Sequence, residues 1–124
     1  MQNYQYSFDR LNVWSDMRSL IKTVYSITTT CPDVERFGLV NQMRRAAVSV
    51  ASNLVEGSSR TNPKDQAHFY QMAFSSTLEL LSQSVVSQDL SFIDEKQNIE
   101  LRNLINDVSS KLNALRRKPL ERVG

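Results

Sequence analysis

Apolar residues recur along most of this chain at spacings of three and four, which is the period of an amphipathic α-helix. The first such segment runs from about Asn12 to Thr28, and Pro32 prevents any continuation. The second is expected from about Gly38 to Glu56, with Gly57 as a left-handed C-terminal cap. Because the alternating pattern of a strand is absent, the sequence predicts an all-α fold.

Two further helices are expected in the second half of the chain. The third begins at Asn62, a good N-cap followed by Pro63, and continues to about Gln88. The fourth runs from about 94 to 117, ends before Pro119, and has an apolar stripe of Ile99, Leu101, Leu104, Ile105, Val108, Leu112 and Leu115. Four such stripes can be buried only against one another, which predicts a single domain over residues 1–124, an up-down-up-down four-helix bundle.

The second helix carries more apolar surface than a bundle core requires. Its apolar arc covers roughly 200°, whereas a core-facing stripe needs about 100°. One half, which includes Leu54, can fill the core, and the other half would face water unless a second subunit buried it. That half and Arg44 are the predicted oligomer interface: Val40, Arg44, Ala47, Val48, Ala51 and Val55. The Arg44 guanidinium must either extend outward to water or meet a carboxylate, which a neighbouring subunit could supply. The alternative is that one chain surrounds this helix completely.

A narrow polar stripe follows the same helix at spacings of three and four. Its members are Gln42, Arg45, Ser49, Asn53 and Glu56. Two interpretations remain open for this stripe. It forms either an internal hydrogen-bond network that fixes the register of the helices, which is the preferred interpretation, or a concave polar site.

Residues with catalytic chemistry are few. Cys31 is the only cysteine and His68 the only histidine, so the chain has neither a thiolate zinc site nor the paired Glu-x-x-His motifs of a di-iron bundle. Seven residues separate Arg60 from His68, whereas helical ribonuclease toxins of the HEPN class have four to six at this point. An enzyme would need a cleft holding His68 with Glu56 or Glu79. We therefore expect no catalysis, cofactor, metal or small-molecule substrate.

The charge distribution favours nucleic-acid binding. The formal net charge is only +2, but the basic residues are unevenly placed. Those expected near the second connection and at the end of the last helix are the candidate nucleic-acid contacts: Arg44, Arg45, Arg60, Lys64, Arg116, Arg117 and Lys118. A ring of copies would multiply this modest field, so weak, salt-sensitive binding of RNA or DNA is expected. Neither a recognition helix nor an aromatic stacking platform is evident.

The alternative for both charged runs is that they are solvated helix faces. A protein-interaction scaffold with no nucleic-acid role is the alternative function, since the acidic run from Asp89 to Asp107 on the fourth helix and the basic tail could together recruit another protein. The first residues lack the basic-then-apolar order of a signal sequence, and no apolar run approaches the ~20 residues of a membrane span. A cytoplasmic location is expected.

Several motifs resemble a known family. They are Phe8-x-x-Leu11-x-Val13-Trp14, Pro32-x-x-Glu35-Arg36-Phe37-Gly38-Leu39, Gln42-Met43-Arg44-Arg45-Ala46-Ala47-Val48-Ser49-Val50 and Ser52-Asn53-x-x-Glu56-Gly57. In this order they resemble the bacterial four-helix-bundle proteins encoded by intervening sequences of 23S ribosomal RNA genes. The resemblance implies a ring-shaped homo-oligomer, commonly a pentamer, without an established activity. It also suggests kinship with accessory proteins of diversity-generating retroelements, which bind nucleic acid.

Overall fold

A computed structural model describes residues 4–121, which form four α-helices and no strand. The helices are α1 (Asn12–Thr28), α2 (Leu39–Ser59), α3 (Pro63–Asp89) and α4 (Glu95–Glu121). Short 3-10 turns precede α1 (Ser7–Arg10) and α2 (Asp33–Glu35). The all-helical prediction is therefore confirmed for this part of the chain, while the first and last three residues of the predicted domain lie outside the described residues.

The helices pack in the cyclic order of a four-helix bundle. Each helix packs against the next in sequence, and α4 packs against α1. The short connections make successive helices antiparallel. All four helices contribute fully buried side chains to one core, among them Met17, Leu20, Met43, Val50, Leu54, Ala73, Leu80, Leu101, Ile105 and Leu112.

The start of α3 has the predicted side-chain cap, and the start of α4 has a cap that was not predicted. The Asn62 side-chain oxygen accepts hydrogen bonds from the backbone N–H groups of Lys64 (2.9 Å) and Asp65 (3.3 Å). Asp94 and Gln97 form a reciprocal pair, in which each side chain accepts a bond from the other's backbone N–H, at 2.8 and 2.9 Å. Both caps satisfy donors that the first turn of a helix leaves without partners.

The end of α2 differs from the prediction at Gly57. The helix continues to Ser59, and no glycine among residues 4–121 has a positive φ, so Gly57 is not a left-handed cap. Within that range only Ser91, just after α3, has a positive φ (63°). Gly57 serves another purpose: a Cβ at this position would lie 2.5 Å from the ring of Tyr70 on α3. The missing side chain therefore lets α2 and α3 approach each other closely.

Two expectations for α4 were wrong. The helix runs past Pro119 to Glu121, although a proline cannot donate a hydrogen bond to the carbonyl four residues earlier. Pro119 is buried and lines a cavity together with Tyr70 of α3. Ile99 does not belong to the buried stripe and is half exposed. Leu101 and Ile105 of the same predicted stripe do lie in the core, because they are one turn apart on the face toward the other helices.

Candidate functional site

The predicted oligomer interface on α2 is partly buried within the single chain. Ala47 is completely buried and belongs to the core, and Val40 is only 6% exposed beneath the connection that follows α1. The expectation that these two side chains would face water within a single chain is wrong. Helices α1 and α3 and this connection together cover a wider arc of α2 than the roughly 100° that was expected. Val40 and Ala47 are therefore not available to another subunit.

A narrower apolar strip of the predicted interface remains accessible. Val48 is 41% exposed, and Ala51 and Val55 are half-buried. Tyr25, from the neighbouring α1, is also 41% exposed. That these residues contact a second copy stays a prediction.

Arg44 is bound within its own chain. Its Nε donates to the Thr28 hydroxyl at 2.9 Å, and a terminal nitrogen donates to the carbonyl of Tyr25 at 3.3 Å. The guanidinium carbon lies 4.6 Å from the centre of the Tyr25 ring, within cation–π distance. Residues of α1 thus satisfy this cation, which has no need of a carboxylate from a neighbouring subunit.

The polar stripe of α2 divides into three parts. The Asn53 amide donates to the carbonyl and hydroxyl of Ser49, at 3.0 and 3.2 Å, and the Ser49 hydroxyl bonds Ser76 of α3 at 3.1 Å. Gln42 and Arg45 are exposed and line a groove with Glu79. Glu56 instead pairs with Arg60 (3.0 Å). Only Ser49 and Asn53 form a network that ties α2 to α3.

The candidate nucleic-acid contacts fall into two separate groups. Arg45 lies fifteen residues before Arg60 along a nearly continuous helix, which places their backbones about 22 Å apart. The expectation that Arg44 and Arg45 cluster with Arg60 and Lys64 around the second connection is therefore wrong. A helix rises 1.5 Å with each residue, so two residues in the first third of α2 cannot reach its end.

The remaining candidates meet at one end of the bundle. Because α3 and α4 are antiparallel, the start of α3 lies beside the last turns of α4, where Arg116 contacts Gln71 and lies 4.1 Å from the centre of the Phe74 ring. Lys64, Arg117 and Lys118 are exposed. We call this end, formed by the start of α1, the α2–α3 connection and the last turns of α4, the basic end.

The charge of the bundle is polarised along its length. The half nearest the basic end, residues 4–20, 50–76 and 108–121, has eight Lys and Arg against five Asp and Glu. The opposite half, residues 21–49 and 77–107, has six against eight. A weakly basic protein therefore presents a net positive surface at one end and a net negative surface at the other.

Some cations of the basic end already have partners. Arg60 pairs with Glu56 and lies 4.6 Å from the centre of the Phe69 ring. Arg116 donates to the Asn113 side chain at 2.9 Å. Both members of the Arg60–Glu56 pair are about half exposed, so water screens their attraction and the arginine remains accessible to a phosphate.

An aromatic series at the basic end was missed in the sequence. Tyr4 and Tyr6 lie edge to face with centroids 4.8 Å apart, Tyr6 and Phe8 are nearly parallel at 6.0 Å, and Phe8 meets Trp14 at 4.8 Å. The Ser7 hydroxyl donates to the carbonyl of Ser58 at 3.0 Å, which joins this segment to the end of α2. Aromatic residues at every second position from 4 to 8 were the available signal.

His68 and Glu79, one of the two pairs considered for catalysis, lie apart, and Glu56 of the other pair is bound to Arg60. His68 is exposed with its ring edge-on to Phe69, and Glu79 lies eleven residues, or about 16 Å, further along α3. Burial raises the pKa of the Cys31 thiol, Arg44 lowers it and Glu35 raises it, and the net shift is upward, so the thiol is protonated near neutral pH. Within residues 4–121, no three His, Cys, Asp or Glu residues are grouped closely enough to hold a metal.

In the described range, no helix combines the length and apolarity that crossing a bilayer requires. In a comparison with protein families, the family model described as 23S rRNA-intervening sequence protein matches residues 9–114. A search of curated proteins finds no match.

Proposed function

This chain belongs to the 23S rRNA-intervening sequence protein family, and from that premise we propose a non-catalytic cytoplasmic scaffold that assembles with copies of itself and binds RNA weakly through its basic end. A ring of five copies is the assembly that the sequence resemblance favours. The suggested kinship with accessory proteins of diversity-generating retroelements stays a prediction.

The observation that carries the RNA proposal is the gathering of cations at the basic end. Lys64, Arg117 and Lys118 are exposed there, and Arg60 is held in an exposed ion pair. One copy offers few contacts to phosphates, so a monomer would bind weakly. Cyclic assembly would place several such ends on one face, and their summed field would attract a polyanion in a salt-dependent way.

Charge reversal at the basic end is expected to weaken RNA binding at least about tenfold. The variant is Lys64→Glu, Arg117→Glu and Lys118→Glu together, and the measurement is filter binding of a structured RNA at low salt. The slope of log affinity against log salt should also become shallower, by roughly one for each phosphate contact removed.

The matched control reverses three exposed cations elsewhere, Lys22, Lys96 and Arg102, in the opposite half of the bundle. It has the same net charge as the test variant and is expected to keep most of the affinity. Equal losses in both variants would point to a general effect of net charge. An affinity of the unmodified protein no greater than that of a neutral control protein would end the RNA proposal.

Self-association is tested at the accessible strip of α2. Val48→Asp is expected to dissociate the assembly while leaving the helical content intact, because a carboxylate would be buried at the contact between copies. Light scattering should show a multiple of 14.2 kDa for the unmodified chain and a smaller species for the variant. Leu78→Asp, at an exposed leucine of α3, is the control. A stable 14.2 kDa species at high concentration would contradict self-association.

A second candidate function is supported by the opposite end of the bundle. The side chains of Val34 and Phe37 are 87% and 88% exposed in the connection between α1 and α2, near the acidic start of α4. Exposed apolar side chains next to negative charge suit a protein partner with a basic rim. Capture of the same protein from lysate before and after nuclease treatment would favour this scaffold function.

A further inference from the structure

We propose that Tyr4, Tyr6 and the cations of the basic end form a platform for single-stranded nucleic acid. The inference rests on the proposed function and deepens it, because it specifies which form of nucleic acid the basic end takes. Unpaired bases would stack on the rings, and the phosphates joining them would contact the neighbouring cations.

The rings are exposed although they are held in place. Tyr4 is 78% and Tyr6 59% exposed, which is unusual for large aromatic side chains that contact each other. The Tyr6 backbone N–H donates to the Asp9 carboxylate at 2.9 Å, and the Ser7 hydroxyl holds the end of α2. A segment fixed in this way loses little conformational freedom when it binds a ligand.

The inner rings anchor the series to the bundle. Phe8 is half-buried and meets Trp14 of α1 edge to face, while its other side lies nearly parallel to Tyr6, with 9° between the ring planes. The series therefore begins at the helices and ends in solvent at Tyr4. Its outer members expose ring surface that nothing in the described chain covers fully.

Cations lie close to this aromatic series. Arg10, in the same 3-10 turn as Phe8, lines a cavity with Lys118 of α4 and with Lys111, whose ammonium is paired with Asp16. The Ser58 carbonyl accepts the hydrogen bond from Ser7, and Arg60 is only two residues further along the chain. Cations therefore lie on two sides of the aromatic rings, one toward α2 and one toward α4. This arrangement suits a single strand, in which bases and phosphates alternate.

This combination favours a single strand over a duplex. Aromatic side chains stack on any base, whatever its identity, but only where the face of that base is free. In a duplex the base faces are covered by neighbouring pairs, so Tyr4 and Tyr6 could contact only the backbone or a helix end. The cations alone would not distinguish the two forms.

The test compares a fluorescent 20-nucleotide unstructured RNA with the same sequence as a duplex, by anisotropy at low salt. The double variant Tyr4→Ala, Tyr6→Ala is expected to bind the single strand at least about tenfold more weakly and the duplex as well as before. Tyr4→Leu, Tyr6→Leu should show the same loss, since leucine keeps apolar bulk without a ring. Phe37→Ala, which removes an exposed ring at the other end, is the matched control and should bind normally.

Photocrosslinking gives a direct readout. A 5-iodouridine-substituted single strand should crosslink to the tryptic peptide that ends at Arg10. If the unmodified protein binds single strand and duplex equally and the tyrosine variants bind like it, this inference fails while the proposed function stands. If the unmodified protein binds neither RNA, both fail. If the tyrosine variants instead lower the solution mass, the rings serve contact between copies and the inference is overturned.

Discussion

Replacing Leu54 with alanine is expected to lower the free energy of unfolding by about 2–5 kcal/mol. Leu54 is completely buried in the core, and alanine would leave a cavity among tightly packed neighbours. Since small domains are stable by only about 5–15 kcal/mol, this change would remove a large fraction of the total. Urea denaturation followed by circular dichroism, at equal protein concentrations, measures the effect.

Leu78→Ala is the matched control for this prediction. It makes the same substitution on a leucine that is 48% exposed, and we expect a change within about 0.5 kcal/mol. Concentration must be held equal because self-association adds to apparent stability. Similar losses at both positions would mean that the core is not where the structure places it.

Replacing Gly57 with alanine is expected to destabilise the protein by about 2 kcal/mol, even though alanine is the better helix former by about 1 kcal/mol. The new methyl group would lie 2.5 and 2.6 Å from two carbons of the Tyr70 ring, which is only 3% exposed and cannot easily move away. Overpacking of this kind costs about 1–3 kcal/mol, and these distances place it at the upper end. Thermal or urea unfolding shows whether the free energy of unfolding falls, as expected, or rises.

Two further variants isolate the cause. Ser52→Ala, at an exposed position of the same helix, should change stability by less than about 0.5 kcal/mol. In a Tyr70→Leu background, Gly57→Ala should be much less harmful because the ring is gone. A stabilising Gly57→Ala would show that helix propensity governs this position and that α2 and α3 are further apart than described.

Local signals in the sequence predicted the helices well. The Asn62–Pro63 start of α3 was identified because a cap depends only on residues within one turn, and the structure shows its hydrogen bonds. The Gly57 cap was wrong for a related reason. Glycine is common both where a helix ends and where two helices touch, and only the position of Tyr70 distinguishes these uses.

The residues of the candidate sites are brought together by contacts between different helices, which the pattern along one helix does not predict. Periodicity placed Arg44 on the outer half of α2, but the Thr28 hydroxyl and the Tyr25 ring that bind it come from α1. The aromatic residues at positions 4, 6 and 8 could likewise be recognised as a pattern in the sequence. The position of these residues beside Ser58 depends on tertiary packing, because the 3-10 turn that precedes α1 lies against the end of α2.

By itself the sequence determined the number of helices, their starts and the apolar stripes, because these follow from propensity, capping and periodicity over a few neighbouring residues. Only the tertiary structure decided that Val40 and Ala47 are buried and that Arg60, Lys64 and the end of α4 share one end of the bundle. Burial and clustering depend on how the helices are oriented around the core. That arrangement brings together residues fifty or more positions apart, which no local pattern records.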